Sequence, residues 1–573
     1  MKLKTTLFTW AVAPLVFAAG CDAGPCENTR SCGDWDAGGN AGQAGNGGAT
    51  NHGGEVSNGA GTGGRIEPGG GAAAEGGQGG FGQGGANEAG AGGMGGGVAC
   101  DTSKSPSEEP CLISDLEAVF VAPTGSDKGS GTQAAPFRSV GKAVETAAAT
   151  GKLIIACNAT FEESIALSAG ARIYGGFACP TEDAPWTYVP ETRTKLAPLN
   201  EGPALAIQGV TDAVILEDLE FVAQKASMPG GSSIGALVVS STNVGLRRSR
   251  IQAGDGAAGT DGVPGLAGAD GDMPLSDQRG GDAVCGTQAP LTRDGGRWLA
   301  PSACGSRGGA GGQAQRGDLG FPGASGTPLL NVVPEGVNNR GVEAPATPAN
   351  APGGDGKAGS PGKAGSAGIA TADASSFTEK GFTPSAPGGS GGDGFPGQGG
   401  GGGAASNALG TCIGASGGAG GMGGCGGKGG TGGEAGGASV ALLSWDSKVT
   451  LDTCELVASS GGAGGKGGNG GAGGAGKAGA EGGLGFADST NELGKGGNGG
   501  KGGDGGVGGP AAGGNGGPSY ALVFHGPIPL KVNATTLATG NGGAGGPGGD
   551  SGLLKGAIGN TGRTAEQLAI TTP

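Results

Sequence analysis

Aromatic residues are scarce in this chain: five Trp, three Tyr and fourteen Phe stand among 573 residues. So little bulky apolar volume argues against one densely filled core of conventional type. Histidine is nearly missing. His52 and His525 stand far apart, which removes the short Cys/His spacings of structural zinc sites. Net positive charge is missing too: 34 Lys and Arg face 49 Asp and Glu, and a net charge of −15 argues against a nucleic-acid partner, which would need Lys/Arg clusters. No Gly-Lys-Ser/Thr phosphate loop occurs, and the Gly-x-Ser-x-Gly matches at Ser390 and Ser416 neither follow a strand nor open a helix as a nucleophile elbow must. The residues therefore assign no catalytic set, no metal ligands and no cofactor. The apolar run LFTWAVAPLVFAA is too short for a membrane span.

What the chain has in excess is glycine, 145 residues. Three stretches interrupt it with a shared design: GALVVSSTNVGLRRSRIQAG at 235–254, SVALLSWDSKVTLDTCELVASSGG at 439–462 and SYALVFHGPIPLKVNATTLATGNGG at 519–543. Each is an apolar strand, a short turn and a second alternating strand that runs into glycine. Self-similarity of this kind marks a solenoid whose repeats bury their apolar faces only by stacking. The glycine is inserted between coils of that stack.

Upstream, FVA at 120–122 reads as a strand. After the N-cap candidate Ser139, Val140, Ala143, Val144 and Ala147 form one apolar face of a short helix that stops at Thr150 and Gly151. The segments LIIAC, SIALS and ARIYGGF are short strands, so the helix is expected to cover the open end of the stack. From Ala204, ALAIQGVTDAVILEDLEFVAQ continues the rungs. Leu205, Ile207, Val214 and Leu216 should face inward, with Glu217, Asp218 and Glu220 on turns or the outer face.

The run PTGSDKGSGTQAAPFRSVGKAV followed by ATFEESIALSAGARIYGGF resembles the N-terminal region of pectate-lyase-like right-handed parallel β-helix proteins, in particular secreted bacterial members of unassigned function. The resemblance covers residues 119–253 and implies a parallel β-helix. It does not imply a lyase, since many members are adhesive, structural or unassigned. Lyases of this kind use aspartates to hold calcium and an arginine or lysine to abstract a proton. Glu217, Asp218 and Glu220 with Arg247, Arg248 and Arg250 could be arranged that way, or could form a solvent-facing charge ladder. Trp186, Tyr188, Trp445, Tyr520 and Phe524 could stack on sugars. As packing residues, Trp186 and Tyr188 would cover the stack near Cys179, and Trp445 and Phe524 would occupy equivalent positions of two repeats.

Within the glycine tracts, Gly256 to Gly271 and Gly356 to Gly368 keep a strict period of three, and elsewhere the unit is Gly-Gly-X. Period three matches polyproline II. Collagen fits poorly, because triplet runs are short and imino acids sparse. A bundle of such helices, resembling those of glycine-rich antifreeze proteins, competes with a disordered loop, since ordering glycine costs roughly 0.5–1 kcal/mol per residue more than alanine.

Lys2 and Lys4 precede the apolar run, and the ending Ala18-Ala19-Gly20-Cys21 resembles a bacterial lipoprotein signal with Cys21 as the lipidated residue. The alternative is an ordinary secretory signal. Export makes disulfides the first reading of the neighbouring cysteines Cys26 with Cys32, Cys100 with Cys111, Cys157 with Cys179, Cys285 with Cys304 and Cys412 with Cys425, leaving Cys454 unpaired.

The fold class expected is all-β: a right-handed parallel β-helix with an N-terminal capping helix, interrupted by glycine-rich polyproline II-like inserts. The divisions are a signal peptide (1–20), a flexible linker (21–99), the N-terminal part of the β-helix (100–253), an insert (254–437), a coil (438–460), an insert (461–518), a coil (519–540) and a glycine-rich tail (541–573). The function expected is a non-enzymatic cell-envelope lipoprotein with a surface structural or adhesive role. Its partners would be a membrane, through the N-terminal lipid, and a polysaccharide or cell-surface partner, with no nucleic acid. It would be surface-exposed or periplasmic. Polysaccharide binding or lyase-like cleavage is the alternative, and ice or interface binding by a flat bundle the second.

Overall fold

The apolar couplets bury their faces by stacking into three parallel sheets. The structure, a computed structural model, describes residues 100–571 apart from 180, 182–184, 299, 349 and 553. The signal sequence, Cys21, Cys26, Cys32 and the rest of residues 1–99 lie outside the described residues. From Leu205 the chain visits the sheets in rotation: Leu205–Gln208 in the second sheet, Val214–Glu217 in the first, Leu219–Val222 in the third. The next turn adds Ser233–Val239, Val244–Arg247 and Arg250–Gln252. The later couplets supply Ser439–Trp445, Val449–Asp452 and Glu455–Val457, then Ser519–His525, Leu530–Val532 and Thr536–Ala538. Pairing between successive turns is parallel throughout.

Alternation places one face of every strand inside. Leu216, Leu246 and Leu451 stand in register in the first sheet, Leu205, Ala236, Leu442 and Leu522 in the second, Phe221, Ile251 and Leu456 in the third, all buried. Between the second and first sheets, Gly209, Ser240, Asp446 and Gly526 take positive φ in successive turns. Asp218, Arg248, Thr453 and Asn533 do the same between the first and third. Left-handed geometry is uncommon for non-glycine residues, and here buried hydroxyls fix the corners. Ser241 Oγ donates to the Val239 carbonyl (2.9 Å) and accepts from Val210 N–H (3.1 Å), while Ser447 Oγ accepts from Ser241 N–H (3.0 Å).

At the other end, one helix, Val140–Thr150, buries Val140, Ala143 and Ala147 against the inner core. Ser139 caps it, Glu163 accepts from Val140 N–H (2.6 Å) and Gly141 N–H (3.0 Å), and Gly151 ends it with left-handed φ. These caps satisfy amides and carbonyls that a short helix leaves open.

All the long glycine excursions leave from a third-sheet strand and return to a second-sheet strand, so they stack on one side. The register of the sheet runs on into them. Arg250 pairs with Glu455, a separation of 455 − 250 = 205 residues. Asp255 accepts from Ser460 N–H, Asp261 from Lys466 and Asp270 from Ala475, each again 205 residues apart. In the Gly-X-Y segments every third amide donates to a neighbouring segment, as when Gly256, Gly259, Gly262 and Gly265 donate to Ser460, Ala463, Lys466 and Asn469, and in the Gly-Gly-X segments two of three do, as at Gly464 and Gly465. Residues 399–403, five consecutive glycines, exchange hydrogen bonds with six surrounding segments, at Gly309, Ala324, Gly341, Lys357, Gly421 and Gly500. A Cβ on Gly399, Gly400, Gly401, Gly402 or Gly403 would fall within 3.0 Å of a backbone oxygen of Arg307, Gly500, Asn339, Ala310 or Gly497, respectively. Outer segments such as 255–271 repeat Gly-X-Y, and their non-glycine positions are mostly exposed.

The glycine-rich tail 541–573 also carries a strand that the sequence did not suggest, Thr564–Ile570, parallel to Ser519–His525. The tracts also hold short antiparallel pairs, among them Ser376–Thr378 with Gly381–Thr383, whose Phe377 and Phe382 cover the outer face of the second sheet.

Glycine packing of this density predicts that Gly509→Ala, whose Cβ would meet the Ser366 carbonyl, costs at least ~2 kcal/mol in denaturant unfolding. The exposed Lys501→Ala should stay within about 0.5 kcal/mol. Ser444 sits in the inward row between Val238 and Phe524, with its Oγ buried and unpartnered. Ser444→Ala should raise stability, by about 1 kcal/mol in the same assay.

Candidate functional site

The densest charge on the solenoid lies where the first sheet turns into the third. Leu216-Glu217-Asp218-Leu219-Glu220, Leu246-Arg247-Arg248-Ser249-Arg250 and Leu451-Asp452-Thr453-Cys454-Glu455 lie above one another in successive turns. Glu217 faces Arg247, which faces Asp452; Glu220 faces Arg250, which faces Glu455. Opposite charges in facing positions are attractive.

Arg248 is the hub. Its Nε donates to Asp218 Oδ1 (2.9 Å) and its Nη2 to Asp218 Oδ2 (2.7 Å) and to Glu217. Tyr188 donates its hydroxyl to Asp218 (3.1 Å), and Ser107 to Glu217 (3.3 Å). Arg247 donates to Glu108 (2.9 Å), and Arg193 links Glu455 (2.8 Å) to the Arg248 carbonyl (2.8 Å). Glu217 stands on the outer face and Asp218 at the corner turn, yet they are covered there, only 2% and 3% exposed. The physical reason is the bidentate arginine, whose planar fork satisfies two carboxylates that could not be buried alone.

This geometry opposes proton abstraction by Arg248. Burial would lower the Arg248 pKa, but the hydrogen bonds to Asp218 and the charges of Glu217 and Asp218 outweigh it and hold the guanidinium above its usual value. A base must be able to lose its proton, and Arg248 is held in its protonated form. The Arg247 hydrogen bond likewise holds Glu108 below the usual carboxylate range. Among the described residues no three His, Cys, Asp or Glu side chains converge as a metal site.

The cysteines pair as Cys100–Cys111, Cys157–Cys179, Cys285–Cys412 and Cys304–Cys425. The last two correct the expected Cys285 with Cys304 and Cys412 with Cys425. Segments that run out and back lie side by side, so distant cysteines become neighbours, with Cα atoms 4.0 and 5.6 Å apart. Cys454 is buried and free. Its thiol lies 3.4 Å from the Leu246 carbonyl, in the corner where the preceding turn has Ser249.

Trp186 is buried against Phe120, ring centroids 4.9 Å apart, and the partly buried Tyr188 packs edge-on to Phe177. Trp445 and Phe524 are not equivalent: Phe524 faces Ser444 inside, while Trp445 stacks on His525 at 4.3 Å on the outer face. His525 Nδ1 lies 2.8 Å from Asp446 Oδ1, a contact that residue spacing did not suggest, because it joins successive turns. Tyr520 packs edge-on to Phe377.

No family model matches the chain, and no curated protein matches it. A solved rhamnogalacturonan lyase overlaps 24% of this chain at 13% identity with a TM-score of 0.15. The chain spans about a third of that protein's length (36%), and a likeness of that size carries no argument about activity.

Removing the hub should expose its cost. Arg248→Met leaves two buried carboxylates without their partner and should lose about 3–5 kcal/mol in chemical denaturation. Burial pushes the Cys454 thiol from 9.0 up to about 11. The native state therefore holds that proton longer than the unfolded chain, and stability should fall as pH rises from 9 towards 11. Mapping of iodoacetamide adducts at pH 8 should find Cys454 modified only after unfolding.

Proposed function

We propose that this chain is a non-enzymatic cell-envelope lipoprotein with a surface structural or adhesive role, attached to its membrane through Cys21. In this reading the stack is a right-handed parallel β-helix capped by Val140–Thr150, and the glycine tracts are polyproline II helices projecting from one corner. The observation that carries the proposal is the tract packing. Successive segments donate at least every third amide to a neighbour, and inner glycines admit no Cβ. A long loop that existed only to connect coils would gain nothing from paying glycine's ordering entropy, whereas a stiff projecting body can present a surface. The four disulfides among the described residues suit an extracellular or periplasmic setting. No described helix is long and apolar enough to cross a membrane.

Cells with and without the protein, compared for attachment to a solid or cell surface, test the role: attachment should fall when the protein is removed and return with the wild-type chain but not with Cys21→Ala. The purified protein, incubated with uronate polysaccharides and calcium, should give no rise in the ultraviolet absorbance of unsaturated products. A rise that disappears in Arg247→Ala would replace this reading with a lyase.

A further inference from the structure

Two inward rows of the solenoid end on polar residues, while the third-sheet row of Phe221, Ile251 and Leu456 ends on Leu537. In the first sheet the row runs Ile173, Leu216, Leu246, Leu451 and then Lys531. In the second it runs Leu205, Ala236, Leu442, Leu522 and then Gln567, on Thr564–Ile570. Lys531 Nζ donates to Gln567 Oε1 (3.3 Å), so the two polar residues bridge the mouth of the stack between its first and second sheets.

They stand on Leu530–Val532 and Thr564–Ile570, which with Thr536–Ala538 are each the last strand of their sheet. Such edges offer unpaired amides and carbonyls to another chain. Apolar side chains stand beside them: Ile528 is 70% and Leu530 60% exposed. The occupant that these features fit is a second copy of the same end, which would bring three equivalent edges and the same apolar residues.

We propose that Lys531 and Gln567 form a polar stop that prevents two copies from stacking through this end. A second copy docked there would enclose the Lys531 ammonium and the Gln567 amide, and an enclosed charge without a counter-charge is costly. The stop limits the solenoid to one chain, so that each molecule presents its glycine body separately. This inference rests on the strand register and does not depend on lipid attachment or on the adhesive role.

The test compares full-length wild-type protein with Lys531→Leu/Gln567→Leu by sedimentation velocity across a concentration series. The double variant should associate at least about a hundredfold more tightly, the gain expected from two apolar side chains buried at each contact. Lys531→Arg, which keeps the charge, should behave as wild type. Native-like circular dichroism and a cooperative melt establish that the double variant is folded. If it misfolds, Lys531→Met, which removes the charge and keeps the length, carries the same comparison. Unchanged association in a folded variant would overturn the proposal. So would wild-type dimers whose cross-links join Thr564–Ile570 of one copy to the same strand of the other.

Discussion

Everything projecting from the solenoid depends on how closely glycine backbones approach one another. Where Gly432 meets the Gly388 carbonyl or Gly500 meets Lys357, a Cβ would fall within 3.0 Å of a backbone oxygen. That closeness lets an extended segment without internal hydrogen bonds give its amides to its neighbours, satisfying polar groups that no helix or sheet ladder serves. Close Cα–H···O contacts between the segments add to this. The ordering entropy of glycine is offset by interactions spread evenly over many short repeats.

The solenoid supplies the register that makes such packing reproducible. Third-sheet strands launch the outgoing segments in step, and second-sheet strands receive the returning ones. Asp255, Asp261 and Asp270 carry the 205-residue register from the sheet into the bundle. The charge ladder works on the same rotation from another corner. By tying Glu217 and Asp218 to Arg248, it locks successive turns that are otherwise held by small apolar strands.

Much of this was legible in the residues. The couplets, the helix face from Val140 to Ala147 and the period of three all follow from local pattern. The degree of enclosure is also written locally: uninterrupted glycine at 399–403 where segments surround it, Gly-Gly-X where a face is open, Gly-X-Y at 255–271 on the rim. The ladder was one reading of Glu217, Asp218, Glu220, Arg247, Arg248 and Arg250, and placing LEDLE, LRRSR and LDTCE in register sets acid against base. Its burial could not be read that way, because that depends on Tyr188 and Ser107, far away in the chain. The pairing of Cys285 with Cys412 and Cys304 with Cys425 was hidden for a similar reason, since chain reversal and not proximity decides it. Thr564–Ile570 escaped notice because TAEQLAI carries Gln567 where earlier strands carry apolar residues.

Amide hydrogen exchange on residues 496–517, read with residue resolution, tests the ordered glycine body most directly. Gly502, Gly505 and Gly508 donate to Lys477, Gly474 and Gly471, so their amides should be protected to nearly the extent of Leu246 and Leu451 in the strand core. Exchange of those glycine amides at the rate of an unstructured chain, with Leu246 and Leu451 still protected, would contradict the account.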